Sequence, residues 1–309
     1  MVITRHQVAR KIVESVPNYS EGTDKSKVER IVAEIKNTPE TNIVDVQYDS
    51  EYNRAVITFV GTPEAVLKAN ISAAKKAIEL IDMNKHKGQH PRIGAIDVVP
   101  FIPAQNITIE ECIELSKRFA EEMAEEGVPV YLYEDSAKNL ERKNIDNIRV
   151  GEYEGLKETI KTDPERKPDY GPSEFHPTAG AIITGARYPL ISFNINLGTK
   201  DVKIAKKVAK AIHLRSGGLV NVKAMGTDLK TRDCVQVGIS NINYKKTPLY
   251  RQMELVRIEA ARYGVPIVGT ELIGVLPLGA VLNSLDYYLQ IENPKKLEPK
   301  HLLENYFDF

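Results

Sequence analysis

Apolar residues along the chain switch repeatedly between a period of two and a three-four spacing. Lys11–Val16 reads as a strand, ended by Pro17. Val28, Ile31, Val32 and Ile35 keep helical spacing within Lys25–Lys36. Asn42–Tyr48 and Ala55–Val60 are β-branched runs joined by the polar stretch Asp49–Arg54, the pattern of a hairpin. Thr62-Pro63 opens a helix. Thr62 is expected to cap its free amides, and Pro63 suits the first turn, where its missing N–H is not needed. Leu67, Ile71, Ala74, Ile78 and Ile81 form the apolar stripe of that helix. After the loop His86–Pro91 comes a strand, Ala95–Phe101. Thr108 and Glu111 make a capping-box pattern ahead of a helix that Gly127 stops, and Val128–Tyr133 is the last strand expected in this half.

The second half runs through the same order. Leu190–Leu197 reads as a strand and Val202–Leu214 as a helix broken by Gly217-Gly218. Val220–Met225 and Val235–Ile239 are strands, Thr247-Pro248 starts a helix that Gly264 ends, and Pro266–Gly269 opens another strand. Leu278–Leu289 is a closing helix. Strand–helix–strand–strand–helix–strand is the split βαβ order. The expected fold class is therefore α+β: two similar ferredoxin-like sandwich subdomains, helices on one face of each sheet, and a ligand crevice between the open faces. The segment around Thr162–Ala179 is rich in Pro, Gly and charge, so the expected division is 1–180 and 181–309. The alternative is one mixed domain carrying a long surface loop.

Composition narrows the partners. Lys plus Arg equals Asp plus Glu, 42 against 42, without the basic excess of a nucleic-acid binder. The basic cluster Lys203–Lys210 falls on a helical period and reads as a solvated face. Cys112 and Cys234 are far apart and have no companion at metal-ligand spacing. Arg5, Arg10 and Lys11 precede no apolar stretch of the kind a secretory signal carries, and no segment offers about 20 uninterrupted apolar residues. These features lead to an expectation of a cytoplasmic protein with no nucleic-acid or membrane partner.

The most unusual stretch is His86-Lys87-Gly88-Gln89-His90-Pro91-Arg92. Two histidines four apart suggest zinc, but Gly88 and Pro91 break a ligand helix, and Lys87 stands where a zinc peptidase carries its glutamate. Acid–base work suits the pair better, because a histidine takes and gives protons near neutrality, and Arg92 beside it can hold an anion. The plain alternative is a hydrogen-bonded loop histidine. Asn18, Tyr19 and Ser20 follow the first strand. Asn194 and Asn196 alternate onto one face of their strand, which implies a polar pocket or a subunit contact. Arg54 and Arg187 sit beside strands. GxGxxG at a strand–helix turn, a P-loop and a GxSxG elbow are all absent from the sequence.

Several strings are specific enough to suggest a family: VPNYSEG (Val16–Gly22), NRAVITFVG (Asn53–Gly61), HKGQHPRIGAIDVVPFIP (His86–Pro103), VPVYLY (Val128–Tyr133) and PDYGPSEFHPTAGAIITGAR (Pro168–Arg187). FNINL (Phe193–Leu197), VKAMG (Val222–Gly226), KTPLY (Lys246–Tyr250) and RYGVPIVGTELIG (Arg262–Gly274) continue the series. In these strings the chain resembles the formiminotransferases, both the stand-alone enzymes and the N-terminal part of formiminotransferase–cyclodeaminase. Residues 1–10 then read as an extension before the family's usual start, and no cyclodeaminase part is expected to follow. The resemblance implies two similar α/β subdomains with a ligand tunnel, usually in a homodimer. It implies that His90, in the HPR string, is the catalytic acid–base group. It also implies a folate-binding loop at Gly171, Pro172, Ser173, Glu174, Phe175, His176, Pro177, Thr178, Ala179 and Gly180.

The implied reaction moves the formimino group of N-formimino-L-glutamate to N5 of tetrahydrofolate, a step of histidine degradation. Tetrahydrofolate is then a co-substrate, and no metal is expected. The donor's carboxylates and the folate tail call for cations and polar side chains, for which Arg92, Arg54, Arg187, Asn18, Asn194 and Asn196 are the candidates. Related one-carbon chemistry with 5-formyltetrahydrofolate or formiminoglycine, a folate-binding protein without turnover, and a zinc hydrolase using His86 and His90 are the rival readings. Two departures from the family pattern stand out. Gln47 occupies the place of an aspartate that vertebrate members carry, leaving Asp49 as the nearest downstream carboxylate and the partner of His90 open. The family's QVSMN string reads Gln236-Val237-Gly238-Ile239-Ser240, with serine in place of asparagine.

Overall fold

The computed structural model describes residues 10–303 apart from 51, 89, 230–232 and 293–295. Of the expected extension 1–10, all but Arg10 lies outside the described residues. The chain divides into two compact units, Met1–Arg187 and Tyr188–Phe309.

In the first unit, β1 (Ile12–Ser15) and β2 (Asn18–Tyr19) form one strand line interrupted at Pro17. Helix α1 (Lys25–Lys36) follows, with Asp24 capping it and Val28, Ile31, Val32 and Ile35 buried, as their spacing predicts. β3 (Thr41–Asp49) and β4 (Arg54–Gly61) make the antiparallel hairpin. Helix α2 (Pro63–Leu80) starts at the expected place, but Thr62 makes no side-chain cap. Its hydroxyl donates to Glu40 Oε2 instead, at 3.1 Å. β5 (Ile96–Gln105) leads to α3 (Ile109–Glu125), where Thr108 and Glu111 form the capping box in full. β6 (Val130–Leu132), two short helices α4 (Ile145–Ile148) and α5 (Glu152–Thr159), and β7 (Ile182–Ala186) complete the unit.

The strands lie in the order β3, β4, β1 with β2, β5, β7, β6. As far as β5 every pairing is antiparallel, which is the split βαβ arrangement. Beyond it, β7 and β6 run parallel and extend the sheet. β7 was not expected from the sequence. All five of its residues are buried, so it shows none of the alternation that marks a half-buried strand. Its place in the middle of the extended sheet also puts the division after Arg187 rather than at Gly180. Ile57, Phe59, Phe101 and Phe119 sit fully buried in the core on the helix side, while Arg54, Val56, Thr58 and Val60 alternate onto the other face.

The second unit is β8 (Ile191–Leu197), α6 (Val202–Ile212), β9 (Val222–Leu229), β10 (Cys234–Asn241), α7 (Leu249–Ala261), β11 (Ile267–Ile273) and α8 (Leu278–Tyr288). Its strands lie in the order β11, β8, β10, β9, all antiparallel. The sheet therefore repeats the ferredoxin-like part of the first, with Phe193, Ile195, Val208, Ile212 and Val256 in a core of its own.

Candidate functional site

β2 and β5 do not pair residue for residue. Asn18 faces Val98 and Tyr19 faces Ile96, so Asp97 is an extra residue, a β-bulge of the kind that re-aims a side chain. Asp97 is only 2% exposed. Its Oδ1 accepts the Ile93 N–H at 3.0 Å, and its Oδ2 pairs with the Arg149 guanidinium just beyond α4. A buried carboxylate thus fastens the end of the His86–Arg92 loop.

The loop is held at its other end by Asn53, at the tip of the β3–β4 hairpin. Asn53 takes a positive φ of 47°, which asparagine tolerates better than most residues. Its Oδ1 accepts the Gly22 N–H at 2.9 Å, its Nδ2 donates to Lys87 O at 2.8 Å, and its carbonyl meets His86 Nε2 at 2.9 Å. Arg92 Nε donates to His86 Nδ1 at 3.4 Å, which leaves Nε2 as the protonated nitrogen of a neutral ring. Both ring nitrogens of His86 are spent inside the loop, so it is a structural residue here.

Arg92 is buried and already committed. Its Nη1 donates to Glu152 Oε2 at 2.8 Å and to Glu154 Oε2 at 3.0 Å, and its Nη2 donates to Glu154 Oε1 at 2.7 Å. These two α5 carboxylates correct the expectation of Arg92 as an open anion site. Arg54 is placed differently. It donates from Nε and Nη2 to Asn18 Oδ1, which in turn is held by its own Nδ2 on Val16 O. Among the described residues no carboxylate pairs with Arg54. It lines the narrow cleft of about 10 Å³, little more than room for a water, that His90, His86, Arg92 and Asp97 also line. It also lines an open depression of about 300 Å³ shared with Gln47, Asp49, Tyr52 and Val56.

His90 is half-buried in that pocket, and its pKa is pushed down to about 4. Burial is the largest cause, since it disfavours the imidazolium. The Arg54 charge adds to it, Arg149 adds less, and Asp97 opposes them. The carboxylate that bears on His90 is therefore Asp97 and not Asp49. Gln47 turns to its own strand, donating to Asp45 Oδ2 at 2.6 Å.

The loop 171–180 lies against the opposite flank of the histidine loop. Met83 N–H donates to Thr178 O, Asn84 Nδ2 to Pro177 O, Ala95 N–H to Ala179 O, and Ala181 N–H to Ile93 O, at 2.8–3.1 Å. His176 Nδ1 accepts the N–H groups of Thr178 and Ala179, which tightens the turn. Gly171, Pro172, Ser173 and Glu174 are exposed. Phe175 is not available to stack on a ligand: it is buried, edge-on to Tyr153 with ring centroids 5.3 Å apart. Nor is the loop the passage between units, because it leads into β7.

Arg187 is not gathered with these residues. Its N–H donates to Phe101 O toward the far end of β5, and its charge bears on Glu14 and Tyr133. In the second unit, Asn194 and Asn196 share the sheet face opposite Phe193 and Ile195, as alternation predicts. Gln236 Nε2 donates to Asn196 Oδ1 at 2.9 Å and to Glu271 Oε2 at 3.1 Å. Asp97, Arg149, Asn53 and Glu271 went unread as site residues, and Gln236 was noted only within the altered QVSMN string. Strand register puts Asp97, Gln236 and Glu271 in place, while the hairpin tip places Asn53 and the end of α4 places Arg149.

The first of the two ferredoxin-like units thus sets a half-buried histidine, held neutral by burial and by Arg54, beside an arginine and a buried carboxylate. Residues 12–187 match the N-terminal subdomain of the formiminotransferase domain and residues 192–307 match the formiminotransferase domain, so the chain belongs to the formiminotransferase family. It is 43% identical over 297 residues to the glutamate formimidoyltransferase of Streptococcus pyogenes serotype M1, covering 95% of this chain and 99% of that one. It is 45% identical over 283 residues to the glutamate formimidoyltransferase of Thermoplasma acidophilum, covering 91% and 93%. Against the formimidoyltransferase-cyclodeaminase of Gallus gallus it is 41% identical, over 95% of this chain and 55% of that protein.

One glycine holds the two loops of the first unit together. A Cβ at Gly94 would stand 2.0 Å from Ala181 O and 2.6 Å from Ala179 O. Gly94→Ala is expected to cost about 3 kcal/mol through overpacking. It should lower the urea midpoint at unchanged m-value, and a variant as stable as the parent would show that the close approach is not needed.

Proposed function

We propose that this chain transfers the formimino group of N-formimino-L-glutamate to N5 of tetrahydrofolate, with His90 moving the proton. The observation that carries the reading is the near-complete match to glutamate formimidoyltransferases over both units, with a neutral histidine in the one narrow pocket of the HPR loop. N5 must lose a proton as it attacks the amidine carbon, and the glutamate nitrogen must gain one to leave. Neutral His90 takes the first proton and returns it to the second nitrogen. The imidazolium formed between is steadied by Asp97, while Arg54 and burial make it a ready acid. Such a shuttle is worth about 10²–10⁴ in rate. Holding the two substrates in attack geometry supplies about 7–11 kcal/mol more, so positioning is the larger part.

Arg54 is the cation we assign to a donor carboxylate, with Asn18 fixing its guanidinium. Tetrahydrofolate is the co-substrate, and the exposed stretch 171–174 is its contact in this unit. The reading also takes the chain as a cytoplasmic homodimer. What supports a second copy is the concentration of exposed apolar side chains on β11 and α8, among them Val268, Leu272, Val281 and Leu285.

Turnover measured with formiminoglutamate and formiminoglycine side by side is the direct test. Formiminoglutamate is expected to be the better donor, and activity with neither would end the reading. His90→Ala should lose at least about 10² in kcat with folate still bound. A variant keeping a tenth of the parent's turnover would remove His90 from the reaction.

The pH profile follows from the sign of the shift. The working form is neutral, and a depressed pKa keeps the ring neutral to lower pH. The acid limb of kcat/KM should therefore lie near 4, well under the ordinary histidine value of about 6.5. A limb at the ordinary value would mean that His90 is solvated and free of Arg54.

The amides of Gly171, Ser173 and Glu174 are expected to gain protection from hydrogen exchange when 5-formyltetrahydrofolate is added. Protection confined to other segments would take the loop out of the folate site.

A further inference from the structure

The histidine loop is gripped from outside by the turn between α4 and α5. Gly151 and Glu152 both take left-handed backbone there, with φ of 79° and 54°, and the Glu152 N–H donates to Arg149 O at 2.7 Å. A non-glycine residue in that region is strained and stays there only where its surroundings over-determine it. The surroundings here are ionic. On one side of the turn Arg149 pairs with Asp97, whose other oxygen accepts the Ile93 N–H at 3.0 Å. On the other side Glu152 and Glu154 take the Arg92 guanidinium, Glu154 through both its oxygens. Residues 149–154 therefore hold two consecutive residues just after His90: Arg92 by its side chain, and Ile93 by its amide through Asp97.

Helix α5 is itself anchored. Tyr153 is edge-on to Phe175, its hydroxyl donates to Asn84 Oδ1 at 3.2 Å, and a Cβ at Gly180 would stand 2.9 Å from its ring. A loop is held in place by partners whose own positions are locked by packing. The Arg92 side chain is 8% exposed, whereas those of Glu152 and Glu154 are 42% and 64% exposed. Carboxylates so well solvated add little to the stability of the fold. What they set is the direction of a buried guanidinium, which also donates to His86 Nδ1. Two carboxylates serve it, so losing one leaves the buried charge paired but differently aimed.

We propose that Glu154, assisted by Glu152, is a positioning residue for His90: through Arg92 it fixes the backbone beside the histidine, and with it the place of the imidazole against the reacting nitrogens. The proposal rests on the formimidoyl-transfer reading and adds a part to its machinery. The charged and titratable groups around the imidazole are Arg54 on β4, Asp97 on β5, Arg149 after α4, and His86 and Arg92 in the loop. The ring keeps its depressed pKa only while it stays among them and out of water. A loosened loop therefore returns the histidine toward its ordinary value, which a loss of stability alone does not do.

The test uses the full chain, Glu154→Gln, the double variant Glu152→Gln/Glu154→Gln, and Glu158→Gln at an exposed position of α5 as control. His90 is titrated by NMR, its signal assigned by its loss in His90→Ala, and kcat and KM are measured with formiminoglutamate. The His90 midpoint is expected to move from about 4 toward about 6.5, further in the double variant than in the single. Turnover should fall about tenfold or more, since a misplacement of about 1 Å can cost about 10². The KM for the donor should stay within about threefold, because Arg54 is untouched. Glu158→Gln should match the parent throughout. The proposal is overturned if either the midpoint or kcat stays at the parent's value in every altered variant that folds, whatever happens to its melting temperature. Glu154→Gln keeps Arg92 paired with Glu152, and so keeps the test decisive should the double variant not fold. A parent chain inactive with every donor ends the transfer reading instead, and the NMR titration still judges the clamp.

Discussion

A single buried carboxylate, Asp97, organises the first unit's site. It exists in that position because β5 carries one residue more than β2 can pair. A charge with 2% exposure is tolerable only if it is paired and hydrogen-bonded, and Arg149 and the Ile93 amide do both. The same anion tempers the positive field of Arg54 and Arg149 around His90. Without it the histidine would face two guanidiniums in a half-buried pocket with only the Pro91 backbone to support its protonated form. The bulge therefore supplies both the loop's anchor and a counterweight to the positive charge around His90.

The two units carry their polar side chains differently. The first gathers charge around one pocket: the partly buried Arg54, the buried Asp97–Arg149 pair and the His90 ring. The second sets neutral amides along one sheet face, where Gln236 bridges Asn196 and Glu271. Charged contacts are the stronger and shorter ones, so the first unit's polar groups are held more firmly than the second's.

Much of this architecture was legible because helices and hairpins repeat locally. The α1 stripe, the Thr108–Glu111 box and the order of elements in both units follow from spacings within about one or two turns. β7 was not legible, since a strand buried on both faces carries no alternation, and Ile182–Ala186 sits beside a Pro- and Gly-rich stretch that reads as a boundary. Among the candidates, Arg54 and Asn18 could be named from their places beside strands, whereas His90 was separated from His86 only by the resemblance to the formiminotransferases. Arg92 was named for the wrong partner, because Glu152 and Glu154 lie on α5 and nothing local announces them. Phe175 looked like a ligand platform because it sits in a polar loop, and only packing against Tyr153 shows it belongs to the core.

The insertion of β7 between β5 and β6 has a consequence for how the molecule comes to be. The histidine loop is tied on one flank to Ala179 and Ala181, which follow it only after α3, β6, α4 and α5. A nascent chain that has made the ferredoxin-like part alone still has β5 as an unpaired edge and a histidine loop without its brace. Closing so long a loop adds little equilibrium penalty, about 0.6 kcal/mol for each doubling of length. It does add sequence separation, which slows folding. The pocket of the first unit is thus completed near the end of that unit's assembly on the ribosome, and the exposed β5 edge is the surface that most needs shielding until then.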